Sequence, residues 1–481
     1  MPTDIVTDIE TKQSDWPAVL PLASLGILII LGFGAIAVLS HDFPYGRDPS
    51  SAPTRTYIAL AAALGCGCLL LVPIVRHLTP TKNRLLLLLA VGLLARLFMF
   101  ASDPVLEDDW HRYLWDGASV AHGVDPYKYA PAEATPVTRL GEKIGWSDEP
   151  DLARLQEMTD EAPILYWRIN YPYLKTIYPP IAQLAFAAAH FVSPYSLAGW
   201  RAVLLVVDLL TVALLAWTLT LFGRSPLWAG LYWWNPVVIL EAFNAGHMDV
   251  LIAPALVGVL ALARLGKLKL AVAALAAASA VKFWPALLAP ALIRKHLFNP
   301  LHVAGFAALF IAAALVLLWP QLRYIFVDPD QGLVAYSDTW RRHAFLFAAL
   351  ADGPLSGLAE PDRAARNVVA VLISAAALGF AVRAKPNGDD LPGICLAITA
   401  VLLFLSPTGY PWYQIWIAVF LPFAPRWGLL SLMVTAPLYY TRFLLGDAHP
   451  LYQWGIVPIA FGVPLLLVLA EAFWRRDYAR T

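Results

Sequence analysis

Apolar runs of roughly 15–25 residues recur along almost the whole chain, and runs of that length cross a bilayer core as helices. Inside hydrocarbon each backbone N–H and C=O must find its partner within the protein, which favours helix for runs of this kind. Charged residues make up only 14% of the sequence, against about 25% in soluble domains. The sequence therefore predicts an all-α polytopic membrane protein. Its formal net charge is zero, so no basic field speaks for a nucleic-acid partner.

Spans are expected at 17–40, 56–75 and 85–101, then at 198–222, 226–241, 248–263, 270–282, 285–294 and 301–319, and again at 366–383, 391–405, 411–423, 427–441 and 453–472. The acidic start, Met1 to Trp16, lacks the basic region of a cleaved leader, so the first apolar run is expected to be retained. The apolar segment 179–193 opens with two prolines and is short; it is read as a re-entrant or juxtamembrane helix. That parity places the basic stretches Arg76–Arg84, Arg264–Lys269, Arg294–His296, Arg383, Lys385, Arg426 and Arg475–Arg476 on one side, cytoplasmic by the positive-inside rule. About fourteen spans with both termini cytoplasmic follow. Three regions are expected: 1–101, a tail and three spans; 102–197, an outer loop with juxtamembrane helices; and 198–481, the remaining bundle with a second outer loop near 320–365. Within the first loop, Asp148–Asp160 alternates acidic and apolar residues as an amphipathic surface helix would.

The three cysteines, Cys66, Cys68 and Cys395, lie in apolar runs. Cys66-Gly-Cys68 has no further cysteine or histidine to complete a metal set, so helix packing is the expected role.

One stretch breaks the apolar pattern most sharply: Glu107-Asp108-Asp109-Trp110-His111-Arg112-Tyr113, followed by Gly117. Consecutive carboxylates at a membrane boundary are costly unless water, a metal or a substrate meets them. Asp109, Tyr113 and Gly117 share one face if the segment is helical. A solvated or helix-capping carboxylate is the plain alternative. Other unusual residues gather at the same side: Tyr178, Glu241, Asn244, His247, Asp249, Lys282, Arg341, Arg342, His343, Tyr410, Trp412 and Tyr413. His247 and Asp249, after Gly246, can hold a phosphate, a sugar hydroxyl or a metal, or Asp249 caps the next helix. Lys282 either snorkels or neutralises a phosphate; Arg341, Arg342 and His343 offer the same service or are solvated. Tyr410 and Trp412 form an interfacial aromatic belt or stack on sugars.

Taken in order, the acidic motif, Asp125-Pro126-Tyr127, Tyr178-Pro179-Pro180, Asn244-Ala245-Gly246-His247-Met248-Asp249 and Lys282-Phe283-Trp284-Pro285 resemble the GT-C membrane glycosyltransferases. They look closest to the bacterial polyprenyl-phosphate-mannose-dependent mannosyltransferases of phosphatidylinositol mannoside and lipomannan synthesis, the family 87 type. The two spans before the acidic motif look additional to a common GT-C arrangement. The resemblance implies a GT-C fold in a bacterial inner membrane, with the site on the extracytoplasmic face. It implies transfer of a hexose, mannose favoured, from a polyprenyl-phosphate sugar to a glycolipid or glycan acceptor among membrane lipids, with inversion. Asp109 then acts as general base, with Asp108 its competitor. Lys282, Arg341, Arg342 and His343 become candidates for the donor phosphate, Lys282 first. Glu107, Tyr113, Tyr178, Asn244, His247, Asp249, Tyr410 and Trp412 would line the sugar or acceptor pocket. No cofactor is certain; a divalent cation is open, with Glu107, Asp108 and Asp249 as hard oxygen donors.

A transporter or lipid flippase is the rival class. Paired internal repeats with matching broken helices would mark it, and none is visible. A non-catalytic envelope scaffold would not need carboxylates and cations at one depth.

Overall fold

The computed structural model describes residues 16–135, 138–139, 142–143, 149–325, 327–328, 331–383 and 390–478. The acidic start, Asp148 and Lys385 lie outside them.

The chain is an all-α polytopic membrane protein. Among the described residues eight helices are long and apolar enough to cross a membrane, and nine if one bent pair counts as a single span. The first three spans form as expected: α1 (Trp16–Ser40), α2 (Thr54–Arg76) and α3 (Lys82–Phe100). Thr81 starts α3, its hydroxyl accepting the Arg84 N–H. The first loop carries α4 (Trp110–Ala121), α5 (Pro150–Glu161), α6 (Pro163–Trp167) and α7 (Pro180–Val192); α5 is the expected surface helix. The next long span is α8 (Leu197–Leu221).

The stretches read as spans at 226–241 and 248–263 are one bent unit in part: Pro236–Asn244 and Met248–Arg264 meet at 114° around Ala245–His247. The stretches at 270–282, 285–294 and 411–423 give Leu268–Ser279 and pieces of four or five residues. Pro285, Pro290 and Pro411 stand at or near the starts of those pieces, where a missing N–H is tolerated and a continuous helix is not. The expected tally of about fourteen thus rests on spans that here fall on shorter or broken helices.

A buried ion pair fixes α3 against α8. Arg96 Nε donates to Asp208 at 2.6 Å, and both side chains are fully buried. Arg96 also donates to the carbonyls of Gly92 and Trp233, and its guanidinium lies 3.4 Å from the Trp233 ring centroid. Tyr232 donates to the second Asp208 oxygen. A charge inside the membrane is tolerable when paired in this way. Gly92 lets Trp233 approach: a Cβ there would sit 2.2 Å from the indole.

α4 lies along α7, and the contact is backbone on backbone. A Cβ on Gly117 would come within 2.2 Å of the Phe186 carbonyl oxygen. Tyr113, one turn earlier, stacks parallel on Phe186 at 4.8 Å and meets Tyr178 edge-on at 5.0 Å. Of the residues expected to share a face, Tyr113 and Gly117 dock α4 against α7.

Candidate active site

A cavity of about 560 Å³ opens where the loop before α8 and the segment after residue 331 meet the broken helices. Its lining runs from Leu106, just before α4, to Phe443 near the C-terminus.

The acidic turn is bolted in place from beneath. Asn244 Oδ1 accepts the Val105 N–H at 3.0 Å, and its amide donates to the Asp103 carbonyl and the Ser102 hydroxyl. Arg201 donates to the carbonyls of Phe100, Ser102 and Asn244. The turn then passes through Leu106 at φ +62°, a left-handed conformation costing about 1–2 kcal/mol for such a residue.

Asp109 opens α4 with its carbonyl, which accepts the Arg112 N–H at 2.9 Å. Its carboxylate makes no capping bond to α4. It lines the cavity instead, with 32% of the side chain exposed there. Burial, and then the charge of Asp108, push its pKa up to about 6. Asp108 is also raised by burial, and Asn170 donates to its carboxylate. Glu107 is pushed well above the usual carboxylate range by burial and by the charge of Asp109.

Lys282 and Asp249 line the cavity and pair with each other. Trp416 Nε1 donates to the same Asp249 oxygen at 2.7 Å, so Asp249 caps no helix. The ammonium sits 4.3 Å from the Tyr413 ring centroid.

The three-residue basic motif divides. Arg342 lines the cavity and donates to Asp447 at 2.7 Å. Arg341 is outside the lining, paired with Asp352 and Asp362. His343 is buried, accepts or donates in a 2.7 Å bond with the Tyr452 hydroxyl, and is pushed down to about 3 by burial, hence neutral. The split follows from the backbone: Arg342 N–H donates to Pro407 O, and Gly409 N–H to Arg342 O, anchoring that residue beside the wall.

Of the remaining candidates, Tyr113, Tyr178, Tyr410 and Trp412 line the cavity. Both faces of Trp412 are occupied, by His247 at 3.6 Å and Tyr410 at 4.4 Å, so it is a filler in a stack. Asn244 and His247 sit behind the wall.

Sequence reasoning missed Arg442, Asn170 and Tyr336. Arg442 lines the cavity and grips both oxygens of Asp447, at 2.6 and 2.8 Å. Two arginines thus share one carboxylate. Arg442 stands just past a stretch read as a span, the place where a cation is most easily taken for an interfacial anchor.

Among the described residues no group of three or more histidine, cysteine or acidic side chains is arranged to hold a metal ion. Glu107, Asp108 and Asp249 do not come together as a shell for a divalent cation.

An open cavity lined by an uncapped carboxylate and by arginines that share one carboxylate suits transfer from an anionic donor. Residues 176–407 match the family model of glycosyltransferase family 87. That match supports a membrane glycosyltransferase of the GT-C type. The matched stretch includes His247, Asp249, Lys282 and Arg342; the acidic turn and Arg442 lie outside it. No curated protein matches the chain.

Proposed function

We propose that this protein is a membrane glycosyltransferase that moves a hexose, mannose in first place, from a polyprenyl-phosphate sugar to a glycolipid or polysaccharide acceptor at the extracytoplasmic face of a bacterial inner membrane. The observation that carries the reading is the shared cavity. Asp109 lines it uncapped, and Lys282, Arg342 and Arg442 line it as cations.

The acceptor hydroxyl attacks the anomeric carbon as the lipid phosphate departs, a single displacement that inverts that centre. The hydroxyl loses its proton as the new bond forms. Asp109 takes it, a role worth about 10²–10⁴-fold, and a pKa near 6 suits a base working near neutrality. The phosphate gains charge as it leaves. Arg342 and Arg442, sharing only Asp447, have the surplus charge and the forked geometry for phosphate oxygens. Lys282, already held by Asp249, adds field more than a free donor. Tyr410 and Tyr336 offer the sugar aromatic and hydroxyl surface. The placement of this face outside the membrane rests on the positive-inside bias of the basic loops.

The test is transfer of radiolabelled sugar from a panel of polyprenyl-phosphate sugars by purified protein in bilayers, with a membrane-lipid extract as acceptor. Labelled product that disappears in Asp109→Asn supports donor class and base together. Undiminished transfer in that variant removes Asp109 as base.

A further inference from the structure

His247 is fully buried directly behind Asp109, and among the described residues neither ring nitrogen has a hydrogen-bond partner. Each nitrogen nevertheless faces carboxylate. Nδ1 is 3.8 Å from Asp109 Oδ2; Nε2 is 3.8 Å from Glu241 Oε2 and 4.0 Å from Glu107 Oε2. One oxygen of Glu107 is itself without a partner, and both oxygens of Glu241 accept from the Tyr440 hydroxyl. Lys282 and Asp249 are the other charged groups near the ring; they neutralise each other.

The ring cannot easily turn away. Trp412 stacks on it with an interplanar angle of 19°, backed by Tyr410, and the His247 backbone N–H is held by the Glu241 carbonyl at 2.8 Å. An imidazole in the interior normally satisfies at least one nitrogen. This one is clamped with both nitrogens just outside bonding range of acids on opposite edges. A closure of about 1 Å, of the kind that accompanies substrate binding, brings them to hydrogen-bond distance.

We propose that His247 is a positioning residue that carries the acceptor proton from Asp109 to the buried Glu241. The inference rests on the reading of Asp109 as base. In the transfer, the acceptor O–H bond breaks and its proton goes to Asp109, while the anomeric C–O bond to phosphate breaks and its electron pair leaves with the lipid phosphate. The proton then passes from Asp109 to Nδ1 as the Nε2 proton passes to the ionised carboxylate of Glu241, 3.8 Å away; Glu107, raised by burial, keeps its own proton. The ring is neutral before and after, with its tautomer exchanged. Asp109 is left ionised, so it cannot hand the proton back to the new glycosidic oxygen while the phosphate is still present. When the products have left, the proton returns by the same route to cavity water and the first tautomer is restored.

The test compares His247→Gln, His247→Ala and Glu241→Gln with the unaltered protein in bilayers, using whichever polyprenyl-phosphate sugar supports transfer. We expect His247→Gln and Glu241→Gln to keep both KM values and the thermal midpoint while kcat falls about tenfold or more. Added imidazole should restore kcat in His247→Ala, in proportion to its free base. A packing role alone would lower the midpoint and would not respond to the base form of imidazole. Full kcat in His247→Gln or in Glu241→Gln overturns the relay, as does a folded His247→Ala that imidazole does not rescue. Asp109→Asn is run alongside: transfer by that variant removes the base itself, a failure distinct from those of the relay.

Discussion

Lys282 and Asp249 hold each other in the wall of the cavity although 33 residues separate them, and the Asp249 side chain is only 1% exposed. The lysine is therefore a fixed part of the wall. Removing it strands a buried carboxylate, a loss of about 3–5 kcal/mol. Lys282→Ala should lower the thermal midpoint in detergent clearly, and Lys282→Ala/Asp249→Asn should recover most of that loss. Equal midpoints for the single and double variants would show that the pair does not stabilise the fold.

Asp109→Asn is nearly isosteric, and Asp109 contributes only its carbonyl to the start of α4. The variant should insert and melt like the unaltered protein and lose transfer by about 10²-fold or more. Asp108→Asn, which keeps a polar group beside Asn170, should lose far less. The reverse order would assign the base to Asp108.

A base whose pKa stands at about 6 works only when ionised. The rate should therefore be flat above that value and fall about tenfold per pH unit below it. An unperturbed aspartate would hold the rate level down to about pH 4. A pH profile of kcat/KM between pH 4.5 and 8 separates the two.

Arg342→Ala or Arg442→Ala removes one of two cations sharing Asp447. Donor KM should rise about tenfold, with acceptor KM little changed, as for a charge-assisted contact of roughly 1.5 kcal/mol. Arg341→Ala, outside the cavity lining, should leave donor KM within about twofold of the unaltered value. Steady-state kinetics with each substrate varied in turn decide between them.

Gly117→Ala places a methyl carbon 2.2 Å from the Phe186 carbonyl oxygen. α4 must move off α7, at a cost of about 1–3 kcal/mol, and it carries Asp109 and Tyr113 with it. The midpoint and kcat should fall together. Normal activity with a lowered midpoint would show that the base tolerates a shifted α4.

The polytopic fold and the acidic turn were legible because both are local. Runs of apolar residues announce themselves, and Glu107, Asp108 and Asp109 stand out in a sequence poor in charge. What could not be read was pairing across the chain. Nothing beside Lys282 announces Asp249 as its partner. Arg341 and Arg342 are indistinguishable until the Arg342 backbone is bridged to Pro407 and Gly409. Trp412 reads as a sugar platform until both its faces are filled. Span counting faltered where prolines broke short apolar stretches, because hydropathy is blind to where a helix bends.

The cavity is closed by residues from Leu106 to Phe443, and this sets a time at which the enzyme comes into being. Chains emerge N-terminus first. Asp109, the carboxylate proposed as base, is therefore made long before Arg442 and Asp447. A growing or prematurely ended chain thus carries the acid without the arginines that line the same cavity. Such fragments would be inert toward an anionic lipid sugar, and the membrane would be spared half-made transferases that bind donor without completing transfer.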